Sequence, residues 1–266
     1  MNIKELIEKH GGTNENWLIL EYLTGKKSVE LKMDLRFCVD SIYNDFLEII
    51  EKREQNYPLQ YIFGKWEFYG LELFVDESAL IPRFETEILV DEILKLDCKK
   101  DKILDIGCGS GAISLALADN LKKSYVYGID INKEAIKLSN KNKEKLNLKN
   151  VDFFESDIFS NIKEKNFDII VSNPPYIDEI DMKTLEKELS FEPQNALYGG
   201  KDGLFFYKKI ISGSLDYLSA NGVLAFEIGY NQMKIISNLL IENGFEILLQ
   251  KKDFADFDRI IIGKRR

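Results

Sequence analysis

Asn173-Pro174-Pro175-Tyr176 follows directly on the apolar run Phe167-Asp168-Ile169-Ile170-Val171. Proline has no N–H to donate, so two in succession end a sheet ladder. The chain must leave its strand at Ser172 or Asn173 in a stiff turn. That turn fixes the Asn173 amide and leaves nearby carbonyls without ladder partners. Acceptors held in this way can grip a planar –NH2 group, which offers two protons. Such a site suits chemistry on an amide or an exocyclic amine. Taken alone, the same four residues could form an ordinary proline-rich strand exit, so the rest of the chain decides.

A second constellation lies upstream. Ile103-Leu104-Asp105-Ile106-Gly107-Cys108-Gly109-Ser110-Gly111 reads as a strand, a glycine-rich turn and the start of a helix. Glycine lets a backbone pass close to a ligand. The Gly-x-Gly-x-Gly spacing differs from the Gly-x-Gly-x-x-Gly of dinucleotide sites. Asp130 and Ile131 come at the end of the next strand, about 20 residues beyond the loop. A carboxylate there can accept both hydroxyl protons of a ribose. Ser156-Asp157-Ile158 closes a third strand, where Asp157 can take an adenine amino proton and Ile158 can pack on the ring. Nothing marks Cys108 as a nucleophile, and we expect a small filler whose backbone touches the cofactor.

The elements that must position these groups fall into three stretches. Residues 1–56 read as a small helical domain, in which Asn14 is the expected N-cap of a helix carrying Trp17, Leu18 and Leu20 to Leu23, stopped by Gly25. A longer helix places Val39, Ile42, Phe46, Ile49 and Ile50 on one face. In residues 57–80 the period changes to two around Gly70, which suggests a β-hairpin linker. Residues 81–266 alternate strand and helix, the pattern of a mostly parallel sheet covered on both faces. Seven strands are expected, near 102–106, 125–129, 151–154, 167–171, 223–228, 245–249 and 259–262. The connection from Gln250 to Asp258 is too short for a helical crossover, so the last strand should run antiparallel.

Composition narrows the function. The chain has 266 residues, 45% of them apolar, and a formal net charge of −9. An acidic balance argues against tight nonspecific binding to nucleic acid, which needs Lys and Arg on phosphates. The three cysteines, Cys38, Cys98 and Cys108, have no Cys-x-x-Cys spacing and fit free thiols in a reducing compartment. His10 is the single histidine. It is expected at the surface, so neither a Ser-His-Asp triad nor a histidine-bound metal is supported. No run resembles a signal peptide or membrane span, and a soluble cytoplasmic protein is expected.

Together the glycine loop, the acid after the second strand, Asp157 and Asn-Pro-Pro-Tyr resemble the class I S-adenosylmethionine-dependent methyltransferases. That resemblance implies an α/β, Rossmann-like fold and methylation of a planar nitrogen, either a glutamine amide or an amino group of adenine or cytosine. Further segments, 58–64, 81–87, 191–193, 196–203 and 227–229, look like the peptide chain release factor glutamine N5-methyltransferases, the PrmC/HemK family. Nearly the whole chain is covered. The family resemblance implies S-adenosylmethionine as cofactor and, as partner, a class 1 release factor methylated on the glutamine of its Gly-Gly-Gln motif. A monomer is expected, the acidic balance argues against direct nucleic-acid binding, and geometry with the family resemblance makes the N-terminal helical domain the substrate-recognition unit. Carried over, Asn173 and the Pro174 carbonyl would hold the amide, with Pro175 and Tyr176 beside it. Gly107, Cys108, Gly109, Ser110, Gly111, Asp130, Ile131, Asp157, Ile158 and Asn173 would line the cofactor site. Two positions depart from the family: Phe84 stands where it usually has proline, and Ile158 where some relatives have an aromatic residue. The alternative is a DNA or RNA amino methyltransferase.

Overall fold

The computed structural model describes residues 1–266, which divide into two compact units, Met1–Phe63 and Gly64–Arg266. The first holds α1 (Ile3–His10), α2 (Asn14–Thr24), α3 (Ser28–Met33), α4 (Tyr43–Glu54) and α5 (Leu59–Phe63). At the start of α1, Asn2 and Glu5 form a reciprocal capping box. The cap of α2 is Thr13, not Asn14: its hydroxyl accepts from the Asn16 N–H, and Asn14 is the first helical residue. Gly25 ends α2 in the left-handed conformation. Leu18 points outward, and Ile19 joins Leu20 and Trp17 in the core instead. Helix α4 begins only at Tyr43, because residues 40–42 form a single 3-10 turn that carries the chain past buried Val39. The helical unit continues to Phe63 rather than stopping at 56, since Leu59 of α5 belongs to the same apolar cluster as Phe46 and Ile49. His10 is half-buried rather than a surface residue. Its ring packs edge-on against Phe46, and its Nε2 lies 3.1 Å from the Tyr43 hydroxyl.

The second unit opens with the hairpin β1 (Lys65–Phe68) and β2 (Leu71–Phe74), turned at Tyr69 and Gly70, both at positive φ. The hairpin is packed into this unit: Phe68 and Leu73 enter its core, and the Asn142 side chain pairs with the backbone of Phe74 through both its oxygen and its nitrogen. Then follow α6 (Phe84–Lys95), β3 (Lys102–Ile106), α7 (Ala112–Asn120), β4 (Tyr125–Asp130), α8 (Lys133–Leu146), β5 (Val151–Glu155) and β6 (Phe167–Ser172). The chain ends with α9 (Phe205–Ser214), β7 (Leu218–Glu227), α10 (Met233–Glu242), β8 (Phe245–Lys252) and β9 (Asp258–Arg265).

The main sheet has seven strands in the order β5-β4-β3-β6-β7-β9-β8. All pairings are parallel except those of β9, which inserts antiparallel between β7 and β8. Strand β7 starts five residues earlier than expected, at Leu218, which pairs with Phe167 ahead of a register shift. Alternation at period two sorts the sheet's side chains between two cores. Ile103, Val126, Ile169, Val171, Val223 and Ala225 share one cluster with α6 and α7. Leu104, Ile129, Ile170, Leu224 and Phe226 share the other with α9 and α10. The order reverses at β3, from which the chain builds first toward β4 and then across to β6. In sheets of this kind ligands bind outside the carboxyl ends of the strands at such a switch point. No helix is long and apolar enough to cross a membrane.

Candidate active site

The carboxyl ends of β3, β4, β5 and β6 open on one cavity of about 320 Å³. Gly107, Cys108, Gly109, Ser110, Asp130, Ile131, Asp157, Ile158, Asn173, Pro174 and Pro175 line it. Of the expected site residues, only Gly111 and Tyr176 lie outside the lining.

Gly107, Gly109 and Gly111 have φ of +75°, +54° and +85°, the left-handed region that costs other residues roughly 1–2 kcal/mol. A Cβ on Gly107 would meet no atom within 4 Å, so that residue faces open space, whereas one on Gly111 would come within 2.9 Å of the Phe153 ring. The loop is tied to β4 by the Gly107 and Cys108 N–H groups, which both donate to the Ile129 carbonyl at 2.8 Å. The Cys108 amide is therefore engaged within the protein rather than offered to a ligand. Burial pushes its thiol well above the usual range, which suits a packing role.

Asp130 closes the same corner. Its Oδ2 accepts from the Gly109 N–H at 2.9 Å and its Oδ1 from the Asn132 N–H at 2.8 Å. Burial raises its pKa, and those backbone donors hold the rise in check. Deeper in β3, Asp105 is fully buried and pushed up to about 7, opposed by the Ser114 hydroxyl and N–H, which donate to its Oδ2. Ile158 adopts φ +50°, rare for a β-branched residue, inside a turn where the Ser156 hydroxyl donates to the Ile158 carbonyl at 2.9 Å. Asp157 is exposed at the rim.

On the other side of the cavity the Asn-Pro-Pro-Tyr turn is clamped from several directions. Ser172 donates its hydroxyl to the Ile106 carbonyl at 2.7 Å, pinning the end of β6. The Ile177 N–H donates to the Leu197 carbonyl and the Gly199 N–H to the Ile177 carbonyl. A Cβ on Gly199 would come within 2.6 Å of the Pro175 oxygen, and one on Gly203 within 2.4 Å of the Tyr176 oxygen. Only glycine lets this loop lie on the turn. Gln232 donates from Nε2 to the carbonyls of both Tyr176 and Gly203, while its Oε1 accepts from the Gly229 N–H. Tyr176 packs among the residues under α9 and α10. Burial and then Glu227 push its phenol up to about 12.

Asn173 itself donates from Nδ2 to the Thr86 hydroxyl at 3.2 Å, and that hydroxyl donates to Glu227 Oε2 at 2.6 Å. Neither Asn173 Oδ1 nor the Pro174 carbonyl accepts a hydrogen bond within the chain, and both residues line the cavity. The segment leading to α6 is held by buried Glu192, which accepts from the Ile81 N–H at 3.0 Å and pairs with Arg83. Thr86, Glu192, Gln232 and Glu227 were not assigned roles from the sequence. The available signals were the family-like segments 81–87, 191–193 and 227–229, which hold Thr86, Glu192 and Glu227.

The fold is shared with solved methyltransferases. A methyltransferase from Pyrococcus furiosus matches with a TM-score of 0.58, over 84% of this chain and 98% of that one, at 19% identity. Residues 84–201 match the methyltransferase small domain family and residues 5–64 the PrmC N-terminal domain family. The chain is 49% identical over 221 residues to a release factor glutamine methyltransferase of Fusobacterium nucleatum, covering 82% of itself and 62% of that relative. It is 38% identical to one from Buchnera aphidicola, covering 100% of itself and 99% of the relative. The chain belongs to the release factor glutamine methyltransferase family, which favours an amide over a nucleic-acid base as acceptor.

The methyl donor of this enzyme class is S-adenosylmethionine. The residues present fit it. The open space over Gly107 leaves room for a ligand beside the loop. Ser110 lines the cavity with a buried hydroxyl that has no protein partner, and the Asp130 carboxylate at the end of β4 lines the same cavity.

Proposed function

We propose that this protein transfers a methyl group from S-adenosylmethionine to the side-chain amide nitrogen (N5) of the glutamine in the Gly-Gly-Gln motif of class 1 release factors. The observation that carries this reading is the pair of free acceptors, Asn173 Oδ1 and the Pro174 carbonyl, on a clamped turn at the cavity. An amide nitrogen is a poor nucleophile because its lone pair is conjugated with the carbonyl, a coupling reflected in a rotation barrier of roughly 18–20 kcal/mol. Two acceptors cannot offset that amount. They can take both amide protons, disfavour planarity at nitrogen and aim its lone pair. Orientation of this kind contributes about 7–11 kcal/mol.

The cofactor supplies a methyl group on a cationic sulfur whose leaving group is a neutral thioether. In this reading Gly107 to Ser110 would line its site, Asp130 would hold the ribose hydroxyls, and Asp157 and Ile158 would flank the adenine. Pro175 stiffens the turn and Tyr176 anchors it from beneath. The surplus proton on the methylated amide leaves to water, so no strong base is required. The helical unit recognises the body of the release factor. The protein acts as a cytoplasmic monomer and binds no nucleic acid directly.

The test is transfer of labelled methyl from S-adenosylmethionine to a purified class 1 release factor beside its Gly-Gly-Ala variant. Label on the unaltered factor alone is the expected result. Label on neither, with transfer to DNA or RNA, would overturn the choice of acceptor.

A further inference from the structure

Two residues behind Asn173 carry more than packing. Thr86 and Glu227 are both buried, and they join Asn173 in a chain of hydrogen bonds that starts just after β6, passes through Thr86 of α6 and ends on the last residue of β7. A hydroxyl has one proton to give. An ionised carboxylate can only accept, so the Thr86 proton must go to Glu227. The Thr86 oxygen is left with lone pairs alone, and its other partner must be a donor. That requirement selects Nδ2 of Asn173 and turns Oδ1 the other way. The two ends of an asparagine amide are nearly equal in shape, so without such a constraint either could face the cavity.

We infer that Thr86 and Glu227 are positioning residues that fix which end of the Asn173 amide meets the acceptor. The inference rests on the reading of Asn173 as the group that accepts a proton of the substrate amide. With Oδ1 toward the cavity the turn presents an acceptor to the incoming –NH2. With Nδ2 there instead it would present a donor to a donor, and the amide would be rejected.

The polarity of the chain depends on one proton. Protonated Glu227 can donate to Thr86, freeing the Thr86 proton to point at Asn173 and favour the flipped amide. Burial pushes the Glu227 carboxyl up to about 7, so the change falls near neutral pH. Facing this carboxyl are Thr86 and Glu85 of α6 with Arg83 just before it, Arg259 of β9 and Tyr176 after β6; the Tyr207 hydroxyl of α9 donates to the Glu227 carbonyl. Arg259 and Arg83 favour the ionised form, and Glu85 opposes it. The productive orientation is therefore the high-pH one, gained as Glu227 loses its proton.

The test uses the full chain labelled with 15N-asparagine, the Asn173 side-chain resonance being assigned by its loss in Asn173→Ser. That resonance should titrate with a midpoint near pH 7 in the unaltered protein and stay flat in Glu227→Gln. A resonance that sits at the same position in Glu227→Gln and in Thr86→Val as in the unaltered protein overturns the inference, whatever the enzyme does with a release factor. In turnover at pH 8, Thr86→Val, which keeps the shape, should lower kcat 30- to 100-fold with KM for the release factor within threefold. Thr86→Ser, which keeps the hydroxyl, should stay within threefold of the unaltered rate. Equal loss in both, or no loss in Thr86→Val, sinks the relay. If the unaltered protein methylates no release factor, the acceptor assignment falls while the resonance still judges the relay.

Discussion

The two sides of the cavity are built by different means. The cofactor side is made of backbone at consecutive strand ends: Gly107 and Cys108 tie to Ile129, Gly109 to Asp130, and Ser156 to Ile158. Its partners lie within some two dozen positions of one another. The acceptor side is held by buried side chains that bridge remote segments. Thr86 and Glu227 are 141 positions apart, and Ile81 and Glu192 are 111 apart. Gly203 and Gln232 reach the Tyr176 carbonyl from two further segments. One side is local strand-end geometry, while the other is an assembly of side chains from remote segments. Local geometry tolerates loss of a side chain better than an interlocked polar cluster does, because a broken cluster leaves buried groups unpaired.

The sharpest way to break that contrast is Asn173→Ala. If the acceptor side acts on transfer and the cofactor side on binding, kcat falls about a thousandfold, equivalent to about 4 kcal/mol. Cofactor affinity by calorimetry should stay within a few-fold. Near-normal turnover would remove Asn173 from its role. Next comes Gly203→Ala, whose new Cβ would press on the Tyr176 carbonyl in a left-handed backbone. Overpacking of this kind typically costs about 1–3 kcal/mol, with roughly 1–2 more for the conformation. We expect urea stability to drop by about 3 kcal/mol and turnover to fall with it, while the cofactor site of the surviving folded fraction binds normally. Full activity would mean the loop from 199 to 203 does not hold the turn.

The same contrast explains what could be read in advance. Gly107 to Gly111, Asp130 and Asn173 announce themselves because each motif is contiguous and its spacing follows from strand-turn-helix geometry. All seven strands were legible from apolar period and turn residues. The insertion of β9 between β7 and β8 was not, since a run such as Arg259 to Ile262 carries no mark of its neighbours. Thr86 and Glu227 fall in segments that carry the family resemblance, 81–87 and 227–229, but those segments do not say what either side chain touches. Their meaning lies in a 2.6 Å contact that only the closed sheet creates. Thr13 displaced Asn14 as the cap of α2 for a smaller reason: both side chains can cap, and the register of the following apolar face decides.

Each side also keeps one buried carboxyl pushed up to about 7, Asp105 under the glycine loop and Glu227 behind the turn. For such a group the folded pKa lies above the unfolded one, so the folded state holds a proton that the unfolded state releases. The associated stability is complete below about pH 4 and is lost as pH rises to about 7. Asp105→Asn should remove that slope on the cofactor side. Between pH 5 and pH 8 the unaltered protein should lose about 2 to 3 kcal/mol more than the variant in urea unfolding. Equal losses would mean Asp105 is ionised throughout. Only the Glu227 titration should also appear in turnover, because Asp105 touches Ser114 and not the acceptor turn.

The mildest test lies at Asp130, where the contrast predicts an effect on binding alone. Both of its oxygens already accept a backbone N–H, from Gly109 and from Asn132. A carboxylate retains further lone pairs for ribose hydroxyls, so one side chain can shape the loop and hold the sugar together. Asp130→Asn keeps the shape but sets its own –NH2 against one of those two N–H groups and removes an acceptor from the sugar. We expect cofactor Kd to rise about tenfold, about 1.4 kcal/mol, with kcat at saturating cofactor unchanged. A fall in kcat at saturation would show that the loop and the acceptor turn are coupled across β3 and β6, and that the two sides of the cavity are less separable than their construction suggests. An unchanged Kd would instead leave the carboxylate as a loop tie with no part in holding the sugar.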